Sequence, residues 1–275
     1  MDIISNHDIM AGKKAILVVS FGTSYNDNRD KTIGATERLI AESFPGWEVH
    51  RAFTSKMIIR KLKERDNEEI DYIDSALERL VNDGFDTVVV QSTHIMNGTE
   101  YEFVESFVRI FKDRFRCIRI GTPLLTTKED YDKVVDAIGV GIVEPAKEMA
   151  GPDAAVVLMG HGTEHYANAA YSQLQLSLWL AGYDDVYLTT VEGFPDFYDT
   201  MALMKGAGIR NVVIQPFMVV AGAHANNDMA GDEEDSLKSV LEHNGYKVFP
   251  VVKGLGEMPE FRQLFVDHVK EIIRN

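Results

Sequence analysis

The 275-residue chain is 45% hydrophobic and 26% charged, with a formal net charge of −15, which is the composition of a globular protein and not of a disordered or fibrous one. The acid excess argues against nucleic-acid binding, which draws on clustered Lys and Arg, and the apolar runs fall far short of the roughly 20 residues that span a bilayer. A single cysteine, Cys117, excludes an internal disulfide and an all-thiolate metal site.

Residues 1–14 carry Asp2 and Asp8 and lack a basic start followed by an apolar stretch, so no signal peptide is expected and the expected location is the cytoplasm. From there, short β-branched runs alternate with amphipathic segments. Residues 15–20 read as a strand, 30–43 as a helix, 48–52 as a strand, 70–83 as a helix, 87–92 as a strand, 100–114 as a helix and 117–121 as a strand. The series resumes with strands at 155–159, 186–191, 211–216 and 247–252, and helices at 169–181, 197–206, 236–244 and 260–274. This alternation implies βαβ units and largely parallel sheets, an α/β fold.

The two halves also resemble each other. Setting Gly22-Thr23 on Gly162-Thr163 aligns the strands that precede them and places Phe21 opposite His161. Val88-Val89-Val90-Gln91 parallels Val212-Val213-Ile214-Gln215, with Gly98 and Gly222 each seven residues past the glutamine, so that Glu100 falls opposite His224. Two doubly wound lobes of related topology are therefore expected, residues 1–126 and 127–275, with the last helix free to pack back on the first lobe.

In open α/β sheets the loops beyond the carboxyl ends of the strands line the ligand crevice. His161, in Gly160-His161-Gly162-Thr163, follows such a strand, and its flanking glycines permit a tight turn that leaves the imidazole uncovered. Imidazole is a ligand for borderline divalent metals and a proton acceptor near neutral pH; the plain alternative is a histidine packed in the turn. Glu192 follows Tyr187-Leu188-Thr189-Thr190-Val191 and reads as a ligand or base, or else as a helix-start carboxylate ahead of Pro195. His224 lies among small residues in Ala221-Gly222-Ala223-His224-Ala225, as a ligand or as an exposed loop histidine. Two histidines and a carboxylate at three strand ends of one lobe suit a divalent ion that is passed on and not kept.

The chain resembles the anaerobic cobalt chelatases of the CbiK type, sirohydrochlorin cobaltochelatases within the class II chelatases. The resemblance is carried by Val18-Val19-Ser20-Phe21-Gly22-Thr23-Ser24, Ala52-Phe53-Thr54-Ser55, Val90-Gln91-Ser92-Thr93-His94-Ile95, Met159-Gly160-His161-Gly162-Thr163, Val191-Glu192-Gly193-Phe194-Pro195, and the run from Gln215-Pro216-Phe217-Met218 through Ala223-His224-Ala225-Asn226-Asn227-Asp228-Met229. It implies two flavodoxin-like lobes enclosing a tetrapyrrole cleft and insertion of Co2+ into sirohydrochlorin in the anaerobic cobalamin pathway. His161, Glu192 and His224 would be the metal ligands, His161 also the acceptor of the pyrrole protons, and Glu192 a second catalytic carboxylate. Fe2+ and Ni2+ are the alternative substrate metals.

Around the tetrapyrrole, Phe21, Gly22, Thr23, His94 and Glu100 are the candidate binding residues. His94 resembles the position at which exported relatives ligate a haem between subunits, which leaves haem at His94 as an alternative to a packed or pocket-lining histidine. Sirohydrochlorin is a polycarboxylate and this chain is acidic, so local basic groups are expected at the site, with Lys56, Arg60 and Arg29 as candidates. The acidic run at 232–235 reads as a solvated helix start, His165 as facing the next helix, and His7, His50, His243 and His268 as outside any constellation. Competing functions are a ferrochelatase making sirohaem or haem, a non-catalytic haem or metal carrier, and a hydrolase, the last lacking a Gly-x-Ser-x-Gly elbow or a cysteine nucleophile. A homo-oligomer is compatible with all of them.

Overall fold

The alternating runs form two four-stranded, all-parallel sheets in the computed structural model of the chain, which describes residues 12–274. The first contains β1 (Lys14–Ser20), β2 (Glu48–Phe53), β3 (Thr87–Ser92) and β4 (Cys117–Gly121) in the order β2-β1-β3-β4. The second contains β5 (Ala155–Gly160), β6 (Val186–Thr190), β7 (Asn211–Pro216) and β8 (Lys247–Pro250) in the order β6-β5-β7-β8. His7 and the stretch on which the leader expectation rests lie outside the described residues. No helix among those described is long and apolar enough to cross a membrane.

Central strands are apolar throughout because helices cover both faces of a parallel sheet. Ile16, Leu17 and Val18 of β1 and Val156, Val157 and Leu158 of β5 are fully buried, each such side chain contributing on the order of 1.5–3 kcal/mol. Of the four edge strands, β2, β4 and β8 are partly exposed and β6 is buried throughout.

Two compact units result. Leu125–Phe261 forms one, and the chain before it joins the segment from Arg262 onward in the other. The C-terminal segment belongs there because Val266 and Val269 are buried in one cluster with Ile16, Val18 and Val89.

The internal resemblance extends to individual backbone hydrogen bonds. In the first unit Thr54 N–H donates to Ser20 O (3.0 Å), Ser55 N–H to Phe21 O (3.2 Å) and Thr93 N–H to Val19 O (2.9 Å). In the second, Val191 N–H donates to Gly160 O (3.2 Å), Glu192 N–H to His161 O (2.8 Å) and Phe217 N–H to Met159 O (2.7 Å). Further along, Glu102 N–H to Gly98 O (3.0 Å) matches Asn226 N–H to Gly222 O (3.2 Å). Phe21, Ser55 and Glu100 of the first unit thus occupy the steps that His161, Glu192 and His224 occupy in the second.

Several boundaries differ from the periodicity. β6 stops at Thr190 and β8 at Pro250, so Val191 already belongs to the loop that carries Glu192. The segment expected as a helix from residue 30 begins earlier, at Asn26–Arg29, and passes through a π turn at Asp30–Gly34 before Ala35–Ser43. Helices also form at Lys56–Asp66, Lys128–Ile138 and Glu144–Ala150. The first buries only Ile58 and Leu62, too narrow a stripe to announce itself.

His94 follows β3 with its Nδ1 2.7 Å from Ser92 Oγ, while its Nε2 is sealed from solvent without a hydrogen-bond partner among the described residues. Burial pushes this imidazole down to about 4. Its folded value lies below the unfolded one, about 6.5, so its neutral form is matched above that pH. As pH falls from about 6.5 towards 4 the unfolded chain takes up a proton that the folded chain refuses, a loss of about 3 kcal/mol across the window. Urea unfolding of the wild type and His94→Asn between those pH values should give a shallower slope for the variant; equal slopes would contradict an enclosed, neutral His94.

Candidate metal centre

Three strand-end loops of the second unit bring His161, Glu192 and His224 together, with one ligand atom from each lying within 4.8 Å of the other two. The imidazoles of His161 and His224 meet edge to face, ring centroids 4.6 Å apart and planes at 83°. His161 Nδ1 stands 3.7 Å from Glu192 Oε2. Ligands of a tetrahedral ion held at about 2.1 Å lie roughly 3.4 Å apart, so side-chain rotation of about an ångström closes the trio on a metal. The side chains of His161, Glu192 and His224 are 49%, 59% and 37% exposed, which leaves an open side through which an ion can arrive and leave.

Two glycines make this convergence sterically permissible. Gly162 has φ +80°, and a Cβ there would sit 2.7 Å from Gly193 N and 2.8 Å from the Glu192 carbonyl carbon. The loops after β5 and β6 therefore touch backbone to backbone, and Glu192 N–H donates to His161 O at 2.8 Å. Gly193 leaves room for Asn168, whose Oδ1 would lie 2.4 Å from an added Cβ. Asn168 ties the loops together: Oδ1 accepts from Thr163 N–H (3.1 Å) and Nδ2 donates to Phe194 O (2.7 Å). Beneath His161, the Tyr171 ring fills the space above Gly160, where a Cβ would lie 2.3 Å from the ring. Burial raises the Tyr171 phenol to about 12, so it stays a neutral hydroxyl beside the backbone of His161 and Gly162.

His224 stands at the start of the turn Ala225–Met229, anchored by the buried Ala225 and Met229. Its Nδ1 lies 2.8 Å from Asp228 Oδ2, while His161 Nδ1 lies 3.1 Å from the Gly162 carbonyl. In both rings the Nδ1 proton has an acceptor, which leaves Nε2 as the lone-pair nitrogen.

Residues expected to bind the tetrapyrrole lie in the first unit. Phe21 is a 47% exposed aromatic at the end of β1. Gly22, at φ +100°, packs against the Phe53 ring, which an added Cβ would meet at 2.5 Å. Thr23 is buried, and its hydroxyl accepts from Tyr25 N–H at 3.2 Å, a local turn contact. Glu100 is exposed in the first turn of the helix Thr99–Ile110, and His94 is half-buried with its Nε2 sealed from solvent.

Of the three basic candidates, Arg29 is already engaged. It is buried and binds Asn26, the Thr23 carbonyl and the Glu68 carboxylate. Lys56 is exposed with its ammonium 4.5 Å from the Tyr72 ring centroid, and Arg60 is exposed on the same helix. His165 caps a short turn through Ala167 N–H, and His50, His243 and His268 make contacts apart from the trio. Asp232 in the acidic run pairs with Lys238 at 2.6 Å. A cavity of about 530 Å³ in the first unit is lined by Glu37, Arg38, Arg51, Glu68 and Arg79. Arg51 there already donates to Glu37 through Nε and Nη2, and none of the expected site residues lines the cavity.

Asn168, Tyr171 and Asp228 are the contributors that periodicity and loop position did not bring out. Only Asp228 left a signal, its spacing of four from His224, which stacks two side chains on one face of a helical turn.

Residues 14–274 match the family model described as cobalt chelatase (CbiK). The chain is 40% identical to the sirohydrochlorin cobaltochelatase of Salmonella typhimurium over 95% of its own length and 97% of that protein's. It is 32% identical to the sirohydrochlorin cobaltochelatase CbiKC of Nitratidesulfovibrio vulgaris, over 94% and 89%. In fold it is similar to SirB from Bacillus subtilis with Fe3+, TM-score 0.68 at 17% identity over 96% of this chain and 97% of that one. It is also similar to CbiX, the terminal enzyme for siroheme biosynthesis in denitrifying bacteria, TM-score 0.57 at 14% identity over 94% and 99%.

Gly162→Ala should separate the two loops. The variant should lose about 1–3 kcal/mol of stability, read by chemical unfolding, and divalent-metal binding should fall well beyond that stability loss. Wild-type metal binding in a folded Gly162→Ala protein would contradict the role given to this contact.

Proposed function

The chain belongs to the CbiK family of cobalt chelatases, and on that premise we propose that it inserts Co2+ into sirohydrochlorin, a step of cobalamin synthesis, using His161, Glu192 and His224. The observation that carries the residue assignment is the convergence of these three side chains, from three separate strand ends, within ligand reach of one another.

The reaction exchanges two pyrrole N–H protons for one Co2+ and releases two protons. It therefore needs ligands that strip water from the ion, a base beside the macrocycle, and a ligand set weak enough to surrender the ion to four ring nitrogens. Two neutral imidazoles and one carboxylate meet the first and third needs: Glu192 offsets part of the dication's charge, and the open side leaves coordination positions for the incoming nitrogens. His161 is assigned the second need. When the ion moves to the macrocycle, its Nε2 is freed at the place where pyrrole protons depart. Glu192 is the second group able to take a proton there.

For the tetrapyrrole we assign the exposed Phe21 ring as an apolar surface, with Gly22 and Thr23 shaping the turn that presents it, and with Glu100 and His94 as the remaining candidates. Lys56 and Arg60 are the basic groups left open for substrate carboxylates. The same donor set accepts Fe2+ and Ni2+, which makes these the comparison metals.

The test is turnover with sirohydrochlorin and Co2+, Fe2+ or Ni2+ in parallel, followed by the tetrapyrrole spectrum. An enzyme metallates many equivalents, and a carrier stops at one. His161→Ala should retain tetrapyrrole binding and lose at least about 100-fold in metallation rate at saturating Co2+. Glu192→Gln and His224→Ala should mainly raise the Co2+ concentration needed. A His161→Ala rate near that of the wild type, corrected for spontaneous insertion, would remove His161 from its central role.

A further inference from the structure

The two histidines of the trio are not held alike. His161 Nδ1 rests on a neutral backbone carbonyl of the next residue at 3.1 Å, while His224 Nδ1 rests on the Asp228 carboxylate at 2.8 Å. An ionised carboxylate only accepts hydrogen bonds, so the pair fixes the proton on Nδ1 of His224 and aims Nε2 away from Asp228. It also pushes electron density towards Nε2, which strengthens that nitrogen as a metal ligand. Asp228 is itself firmly placed. Its turn is pinned by Asn226 N–H to Gly222 O (3.2 Å), Ala230 N–H to Ala225 O (3.3 Å) and Gly231 N–H to Asn227 O (3.1 Å).

We propose that Asp228 is a positioning residue that makes His224 the anchoring ligand of the incoming ion, leaving the more weakly held His161 as the ligand that lets go and receives protons. The inference rests on the chelatase reading of the trio. The asymmetry serves the transfer: if both imidazoles released the ion together only Glu192 would still hold it, and if neither did it would not reach the ring nitrogens. His224 keeps the ion on its open face while His161 exchanges the ion for a pyrrole proton. An exposed carboxylate four residues from a histidine could otherwise be a surface ion pair worth a few tenths of a kcal/mol, and such a pair would leave metal affinity alone.

The experiment is a Co2+ titration of the protein without tetrapyrrole, read by the visible absorption of bound cobalt, for wild type, Asp228→Ala, Asp228→Asn and each change in a His224→Ala background. Asp228→Ala should weaken Co2+ binding about 10–100-fold, with the unfolding midpoint little changed. Asp228→Asn, which keeps an acceptor for Nδ1–H without the charge, should recover part of the loss. Neither change should weaken binding further once His224 is gone. In 15N spectra the His224 ring should be an Nδ1–H tautomer in wild type and a mixture in Asp228→Ala. In turnover, Asp228→Ala should raise the Co2+ requirement and approach the wild-type rate at saturation. Co2+ affinity of Asp228→Ala within twofold of wild type, or an equal loss in the His224→Ala background, would overturn the proposal, as would a wild-type protein that binds no Co2+. A wild-type protein that binds Co2+ through Asp228 but metallates no tetrapyrrole would instead overturn the chelatase reading and leave the anchoring role standing.

Discussion

The site depends on a backbone contact: the loops after β5 and β6 approach so closely that Gly162 has no room for a Cβ, while the Asn168 side chain fills the space at Gly193. That approach lets Glu192 N–H bond to His161 O at 2.8 Å and sets a carboxylate beside an imidazole without any direct hydrogen bond between the side chains. A direct, short pair would have satisfied both groups and competed with an ion. Here the hydrogen bonding is carried by main chain and by Asn168, so His161 Nδ1 and Glu192 Oε2 stay 3.7 Å apart, and the Nε2 lone pair and the carboxylate oxygens are left for a metal.

The same architecture serves the first unit with different side chains. Equivalent backbone bonds place Phe21, Ser55 and Glu100 where the second unit has His161, Glu192 and His224. Ser55 Oγ accepts from Ile58 N–H at 3.4 Å and caps the helix Lys56–Asp66, a structural duty that Glu192 does not have. A repeated scaffold thus carries a ligand set in one copy and an exposed aromatic and a helix cap in the other. Strand-end loops tolerate such divergence because the sheet, not the loop, holds the core.

Much of this was legible in the sequence. The strands announce themselves because both faces of a parallel sheet are buried, giving continuous apolar runs such as Val88-Val89-Val90, and the paired glycines and glutamines of the two halves expose the duplication. His161, Glu192 and His224 stand out because each follows such a run and has small neighbours. What stayed hidden depends on contacts between segments distant in sequence. Arg29 lies near a strand end like a substrate-binding cation, yet Glu68, thirty-nine residues on, occupies it. Asn168 is an ordinary polar residue until the fold sets it between two loops, and Tyr171 matters only because Gly160 leaves a hollow for its ring. The helix Lys56–Asp66 hides because two buried residues suffice when the rest of its surface faces water.

Whether one divalent ion sits on three side chains of the second unit can be read by anomalous diffraction at the cobalt absorption edge from Co2+-loaded crystals. One dominant cobalt peak should lie within about 2.0–2.3 Å of a nitrogen from His161, a nitrogen from His224 and an oxygen from Glu192. A dominant peak elsewhere, or one at this place lacking His161 or His224 among its ligands, would contradict that placement.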